Sequence, residues 1–500
     1  MDRPQQISQL LTVPMEVRRW PGLLSFSEIN QVASYLGPIG DFKDIESDGY
    51  LVEALIQLWD PDGSTFRIGS KELTPTIEEV AGLLNLSVKG TAVIFPIASG
   101  KVEFCHFTGL KESVVRGSDQ SIDVKFLFDR FAMKDGFDKY SKDFSFTSKV
   151  TWECKRPLVY GLVMAGIYLF PRKDKKIGFK ITKLLSDLFF GIKDRQASIV
   201  PIVLADIFVA CTNCQRGSKF FYGSNRILHI WAMEHFRRQL PALDGLPLIG
   251  YNWISTHHKR VDQSNLLRSA SEWLDFLRVL SDQKIRWVLD WTDCFNPVLR
   301  AKSSDLIPLL GTQGIMAYTP KRFLRQLGRI QGVPLTPDLT DFTISFGKGT
   351  CPDKIPMKVS IVEAWETLSD DEDIAYVPQL KPMALVTPQY EEWLRESGAG
   401  RPLMEQSEEV KKLMAIIEAK DTENAQLRQS VKVNKGLAEK NKRLCEEMRE
   451  RHQELKRKCG RLYDQTERMQ NPYSREPKDA VIDRLKKFND LVRNQLREMM

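Results

Sequence analysis

The stretch Phe66–Leu86, FRIGSKELTPTIEEVAGLLNL, constrains this 500-residue chain most, because its punctuation leaves little local choice. Phe66-Arg67-Ile68 alternates like a short strand, and Gly69 closes it. Thr74 and Thr76 are both candidate N-caps, since a threonine hydroxyl can accept from the unpaired amides of a first helical turn. Thr76 and Glu79 have the spacing of a capping box. Ile77, Val80, Ala81 and Leu84 then share one helical face, and Glu78 and Glu79 sit where the helix dipole favours negative charge. The stretch predicts a strand, a turn and a core helix.

Around it, two regions differ in character. Eight of the ten tryptophans precede residue 361, and none follows residue 403. Residues 15–360 predict one globular domain of α+β class, predominantly α-helical with small strands. Helices are expected to begin near Ser25, Asp48, Thr76, Ser121, Arg156, Ile181, Ser198, Ser224, Ser271 and Thr319. Strand-like pieces are Phe66–Ile68, Thr91–Phe95, Arg286–Leu289 and Phe342–Phe346. In the helix expected after Thr319-Pro320, Phe323, Leu324 and Leu327 form an apolar face. Lys321, Arg322, Arg325 and Arg329 are left for solvent or a partner. Residues 361–403, with 3 basic against 9 acidic side chains and the run Asp370-Asp371-Glu372-Asp373, predict an acidic flexible linker.

The tail follows a seven-residue repeat. With Val410 at position a, the a positions include Ile417, Val431, Cys445, His452 and Cys459, and the d positions Leu413, Leu427, Met448, Leu455 and Leu462. Sustained spacing of this kind predicts a coiled coil over residues 404–470, and so self-association. Asn424, at an a position, is a polar insertion of the sort that fixes register. Residues 471–500 predict a short amphipathic helix carrying Ile482, Leu485, Phe488 and Leu496.

Charge and hydropathy narrow the function. The net charge of +7 is spread thinly, with 46 basic against 38 acidic side chains over residues 1–360, unlike the dense basic stripe of a phosphate-gripping protein. The longest apolar runs, Leu158–Phe170 and Ile199–Ala210, fall short of the ~20 residues that span a bilayer, and Asp206 interrupts the second. Eight scattered cysteines and an N-terminus without a secretory pattern predict an intracellular chain with reduced thiols.

Each candidate for chemistry has a plainer alternative. Cys211, Cys214, His229 and His235 have zinc-finger spacing. Yet Ile199–Ala210 reads as a buried helix, and Trp231 and Phe236 make the histidine segment look like core, so packing is the preferred reading. Thr76–Ser87 resembles the first helix and turn of a helix-turn-helix, but Gly90 and the β-branched run before Pro96 favour a loop and strand, with Lys89 the sole basic group. Asp290 and Asp293 in DWTD could be paired carboxylates, though no third partner is evident. His257-His258-Lys259-Arg260 reads as a solvated loop, and Cys105-His106 lacks a separate base or orienting group. No phosphate loop, dinucleotide fingerprint or metalloprotease motif occurs. The expectation is therefore no enzyme, no cofactor and no assigned catalytic or metal residue.

Phe66–Gly90 resembles the opening signature of the plant mobile domain, also called the aminotransferase-like plant mobile domain. Other segments agree in order: Trp59 before the signature, Arg156–Pro171 as an Arg-led apolar helix ending in Leu-Phe-Pro, Ile227–Phe236 as an aromatic helix, and Tyr318–Pro334 as the closing motif. With its coiled-coil tail the chain reads as a divergent branch. The resemblance implies a transposon-related plant protein, nuclear, that binds protein partners in silencing or genome maintenance. "Aminotransferase" in the name implies no catalysis, because neither a Schiff-base lysine nor its pyridinium partner is recognisable.

Overall fold

The expected strand–turn–helix forms, and it sits at the centre of a larger helical body. The computed structural model describes residues 12–89, 91–92, 94, 100–115, 120–192, 195–236, 251–260, 266–301, 304–334, 344–346, 358–371, 374, 376–377, 386–396, 441–464 and 478–498. Thr65–Ile68 pairs antiparallel with Trp59–Asp60 on one side and with Lys71–Leu73 on the other. Ile68 faces Lys71 across a two-residue loop, where Gly69 takes the positive φ of 60° that a tight hairpin requires. Thr76 caps the helix Ile77–Leu84: its hydroxyl accepts from Glu79 N at 3.1 Å, and Glu79 accepts from Thr76 N at 3.0 Å. Thr74 is no cap; its backbone instead clasps the side chain of Gln326. Asn85, in the left-handed conformation, ends the helix.

Apolar helices surround this unit. Ser25 and Glu28 form a second capping box for Phe26–Leu36, and Asp48 caps Gly49–Gln57. Val200–Gln215 and Asn225–Phe236 are buried nearly all round, and Lys149–Tyr168 is buried from Arg156 onward, as helices enclosed by others must be. Trp20, Trp59, Trp152, Trp231 and Trp273 are fully enclosed in the one large core. A second antiparallel sheet, Ile307–Leu310 with Gly314–Tyr318 and Ile344–Ser345, lies against Val200–Gln215. Asp206 on that helix secures the hairpin turn, accepting from Thr312 N at 2.7 Å and from its hydroxyl at 2.6 Å. The body is thus mostly helical with a few small antiparallel strands, and no described helix is long and apolar enough to cross a membrane.

Five expectations need correction. The helix expected near Ser121 begins three residues later, at Val124, because Asp123 is its cap and Ser121–Ile122 is a short strand; Val124–Leu127 then runs on into the π-helical segment Phe128–Ala132. The Arg156 helix starts about two turns earlier, at Lys149, because Ser148 is its cap. Arg286–Leu289 is not a strand: its alternation records burial of Trp287 and Leu289, while Arg286 N donates to His235 O at 2.9 Å. Pro320–Leu327 is a 3₁₀ segment kinked at Phe323, and Thr319 gives it no side-chain cap. The first structural unit also runs beyond residue 360, to Leu403. Within the segment expected to be a flexible linker, Lys358–Glu366 is a helix, Leu368–Ser369 pairs with Arg300–Ala301, and Pro388–Glu396 buries Tyr390 and Leu394. Residues 372–373, 375, 378–385 and 397–403 lie outside the described residues.

The second unit, residues 404–500, contains two described helical stretches, 441–464 and Lys478–Glu498. The rest of the expected coiled coil, residues 404–440 and 465–470, lies outside the described residues.

Gly82 shows how tightly the signature helix is held. A Cβ there would meet the carbonyl oxygen of Trp291 at 2.0 Å, whereas one at Gly22 would meet nothing within 4 Å. Gly82→Ala is expected to lower stability by about 1–3 kcal/mol, the cost of overpacking a rigid core. Denaturant melts should show the loss for Gly82→Ala and none for Gly22→Ala.

Candidate functional site

The Glu79 side chain gathers the signature elements into one buried cluster. Its carboxylate lies inside the body and receives four donor groups: Thr76 N at 3.0 Å, Trp231 Nε1 at 2.9 Å, Gln326 Nε2 at 3.0 Å and His235 Nε2 at 3.1 Å. Trp291 Nε1 donates to the Glu79 backbone carbonyl at 2.9 Å. His235 Nδ1 faces the carbonyl of Arg286 at 2.5 Å, and a carbonyl can only accept, so that nitrogen carries a proton. Nε2 faces the Glu79 carboxyl, so the acid and the imidazole form a hydrogen-bonded pair sealed from solvent.

A second acid–imidazole pair lies beside it. Glu234 meets His257 Nδ1 at 2.7 Å and Arg286 at 3.8 Å. His229 Nδ1 accepts from Asp48 N at 3.2 Å, which leaves its ring neutral. Burial pushes the His229 imidazole down from 6.5 to about 3, and nearby His257 and Arg226 add to the shift.

The zinc-spaced residues are therefore not brought together as ligands. His229 and His235 spend their nitrogens on the contacts above. Cys211 and Cys214 are buried, and burial raises both thiols, Cys214 to about 11. Among the described residues no group of three or more His, Cys, Asp or Glu side chains could hold a metal. Asp290 pairs with Arg286, and Asp293 accepts from Phe295 N and Asn296 N in its own turn, so DWTD does not form a carboxylate pair. His257-His258-Lys259-Arg260 belongs to the helix Trp253–Arg260, not to a loop, and His257 points inward. Cys105 is buried, its thiol raised by burial, while its neighbour His106 is exposed. No second helix follows Asn85 over residues 86–89, so the helix-turn-helix pattern stops at its first half.

The basic side chains of the closing motif are also engaged, which overturns their assignment to solvent or a partner. Arg322 grips Glu72 through two bonds of 2.7 and 2.6 Å. Arg325 bonds Asp282 and lies 3.6 Å over the Trp287 ring. Arg329 donates to Cys294 O, Ile374 O and Asp370. Lys321 bridges Asp305 and Asp371 at 2.7 Å each. Asp370 and Asp371, from the expected linker, thus neutralise the closing motif.

Two clefts open beside these clusters. One, of about 440 Å³, lies between Lys71, Trp287, Arg325 and the Tyr390 helix. The other, of about 670 Å³, is lined by Glu78, Lys89, Trp253, Trp291 and Phe295. Glu78 accepts from Val298 N at 2.6 Å through one oxygen, while the other oxygen is enclosed without a hydrogen-bond partner. Burial pushes its carboxyl up to about 7, partly opposed by the Val298 amide. Sequence reasoning gave Glu78 only a dipole role and passed over Glu234. The available signal was an acid within an apolar helix, which in a core implies a bonded partner.

Two measurements test this cluster. Glu79→Gln turns one of the two acceptor oxygens shared by buried donors into an amide donor, so it should cost about 1–3 kcal/mol in a denaturant melt. A neutral histidine held at about 3 when folded leaves the unfolded chain to take up a proton first, so its contribution falls as pH drops below 6.5. Relative to His229→Gln, the parent chain should lose about 1.4 kcal/mol per pH unit between pH 6 and 4; parallel pH profiles would disprove the assignment.

Comparison with known proteins fits this arrangement. A curated relative from Arabidopsis thaliana, described as a serine/threonine-protein phosphatase 7 long form homolog, is 25% identical over 325 residues. The match covers 58% of this chain but only 22% of that relative. It is consistent with a plant protein of the plant mobile domain type. No solved structure matches the chain. A family model described as domain of unknown function DUF7745 matches residues 23–399, three quarters of the sequence and nearly all of the first structural unit, including every side chain around Glu79. The chain belongs to the DUF7745 family.

Proposed function

We propose that this chain is a non-enzymatic, transposon-related plant interaction protein, a divergent branch of the plant mobile domain type. Its globular unit binds protein partners, and a coiled coil over residues 404–470 oligomerises it. The observation that carries the reading is the helical stretch 441–464, along which Leu444, Met448 and Tyr463 are exposed. A lone helix of that length is marginal in water, and a second strand supplies what it lacks. The engagement of Glu79, His235, Asp290 and the closing-motif cations in structural bonds supports the non-enzymatic part. A nuclear setting in silencing or genome maintenance rests on the family resemblance. The phosphatase activity in the relative's name is left with that relative, since the match covers 22% of it.

Nucleic-acid binding through the basic surplus of residues 1–360 is the alternative. It is weakened because Lys321, Arg322, Arg325 and Arg329 already face acids. It requires affinity that falls steeply with salt. A cryptic metal-dependent enzyme is the second alternative, and retained zinc or manganese in elemental analysis would revive it.

Light scattering on the full chain tests the main proposal. The mass should be a multiple of the protomer, and Ile417→Lys with Leu427→Lys, in the upstream part of the repeat, should return it to one protomer without moving the melt of the globular unit. A monomeric parent chain would sink the oligomer.

A further inference from the structure

Helix 441–464 carries its charges in an order that specifies what can lie against it. In the heptad that places Met448, Leu455 and Leu462 at d, Cys445, His452 and Cys459 fall at a. The flanking e positions are Lys442, Arg449 and Lys456, and the flanking g positions include Arg451 and Lys458. No acid flanks the stripe within this stretch. Glu446, Glu447, Glu450, Glu454 and Asp464 all fall at b, c or f, on the outer face. Lys458 pairs with Glu454 along its own helix at 3.0 Å, with both side chains more than 60% exposed, so the pair is weak and leaves the cation beside the stripe.

Charges at e and g set the choice of partner in a coiled coil. Two copies of this stretch side by side in parallel would set Arg451 against Lys456, and antiparallel copies would again meet cation to cation. Like charges held at these positions oppose pairing. The upstream part of the seam differs: Glu409, Asp421 and Glu423 flank it together with Arg428 and Lys435, so self-pairing there meets no such uniform repulsion. A membrane surface fits poorly, because it rewards a wide apolar face, and here the a positions are Cys445, His452 and Cys459, which leaves only the d positions strongly apolar. A helix with an apolar a/d ladder and acidic flanks satisfies both the stripe and the cations.

We infer that residues 441–464 form a heterotypic docking helix whose partner is a protein helix with glutamate or aspartate at its e and g positions. The inference rests on the coiled-coil reading above and adds the chemistry of the strand opposite this stretch.

The test uses the full chain and two labelled peptides of about four heptads. Both carry valine at a and leucine at d; one has glutamate at every e and g, the other lysine. In low salt the glutamate peptide should bind at least about tenfold tighter by fluorescence anisotropy, and the gap should narrow as salt screens the flanks. Replacing Arg449, Arg451 and Lys456 together by glutamate should reverse the preference. These exposed positions leave the fold intact, which the unchanged melt of the globular unit would verify. Equal binding of the two peptides, or a preference that survives the reversal, overturns the inference. So does a short DNA duplex that binds this stretch when the glutamate peptide does not. Failure of both peptides to bind an oligomeric chain refutes this docking helix alone, whereas failure with a monomeric chain refutes the coiled-coil reading as well.

Discussion

The carboxylate of Glu79 is the constraint on which the rest of the domain depends. A buried charge is tolerated only when its lone pairs are filled, and the donors that fill these come from distant parts of the chain. Thr76 is local, Trp231 and His235 lie on Asn225–Phe236, and Gln326 lies in the closing segment. Trp291 adds a bond to the same residue's backbone. Satisfying one side chain therefore sets the order and spacing of four segments spread over some 250 residues of sequence.

The same logic governs the other charged groups of the first unit. Arg156 donates to Phe131 O at 2.9 Å, Glu28 at 2.8 Å, and both Leu23 O and Ala132 O at 3.2 Å, so an arginine heading an apolar helix ties three other segments to it. Arg322 with Glu72 and Lys321 with Asp305 and Asp371 fasten the closing segment to the hairpin and to the acidic stretch. Few of these side chains could be redeployed in catalysis or nucleic-acid binding without loosening the body. Glu78 differs, because its carboxyl keeps one oxygen unbonded at the wall of a cleft. Burial pushes that carboxyl up to about 7.

Local structure was legible where it depends on neighbours in sequence. The box at Thr76–Glu79, the helix starts near Ser25 and Asp48, the Gly69 turn and the buried helices could all be read because caps and periodicity act within a few residues. Three of the misreadings share one cause. Pro320–Leu327, Arg286–Leu289 and the pair Asp370-Asp371 take their conformations from distant partners: Glu72 and Asp282, His235, and the closing-motif cations. The pairing of Glu79 with His235 spans 156 positions, and no local pattern announces it. The zinc-like spacing of Cys211, Cys214, His229 and His235 is the converse, a local pattern with no spatial counterpart.

This contrast sets the two parts of the chain against each other. In the first unit the conspicuous charges are matched inside the fold, and what remains for partners is surface and cleft. On helix 441–464 the charges are sorted in a regular way, with cations beside the apolar stripe and acids away from it. A helix selected only to stay solvated has no physical reason to sort its charges by distance from its apolar face, since i to i+4 pairs work equally well anywhere around it. Sorting gains meaning when another helix lies against that face. The first unit therefore reads as a self-satisfied scaffold, and the specificity of the protein is written where its charges are left incomplete.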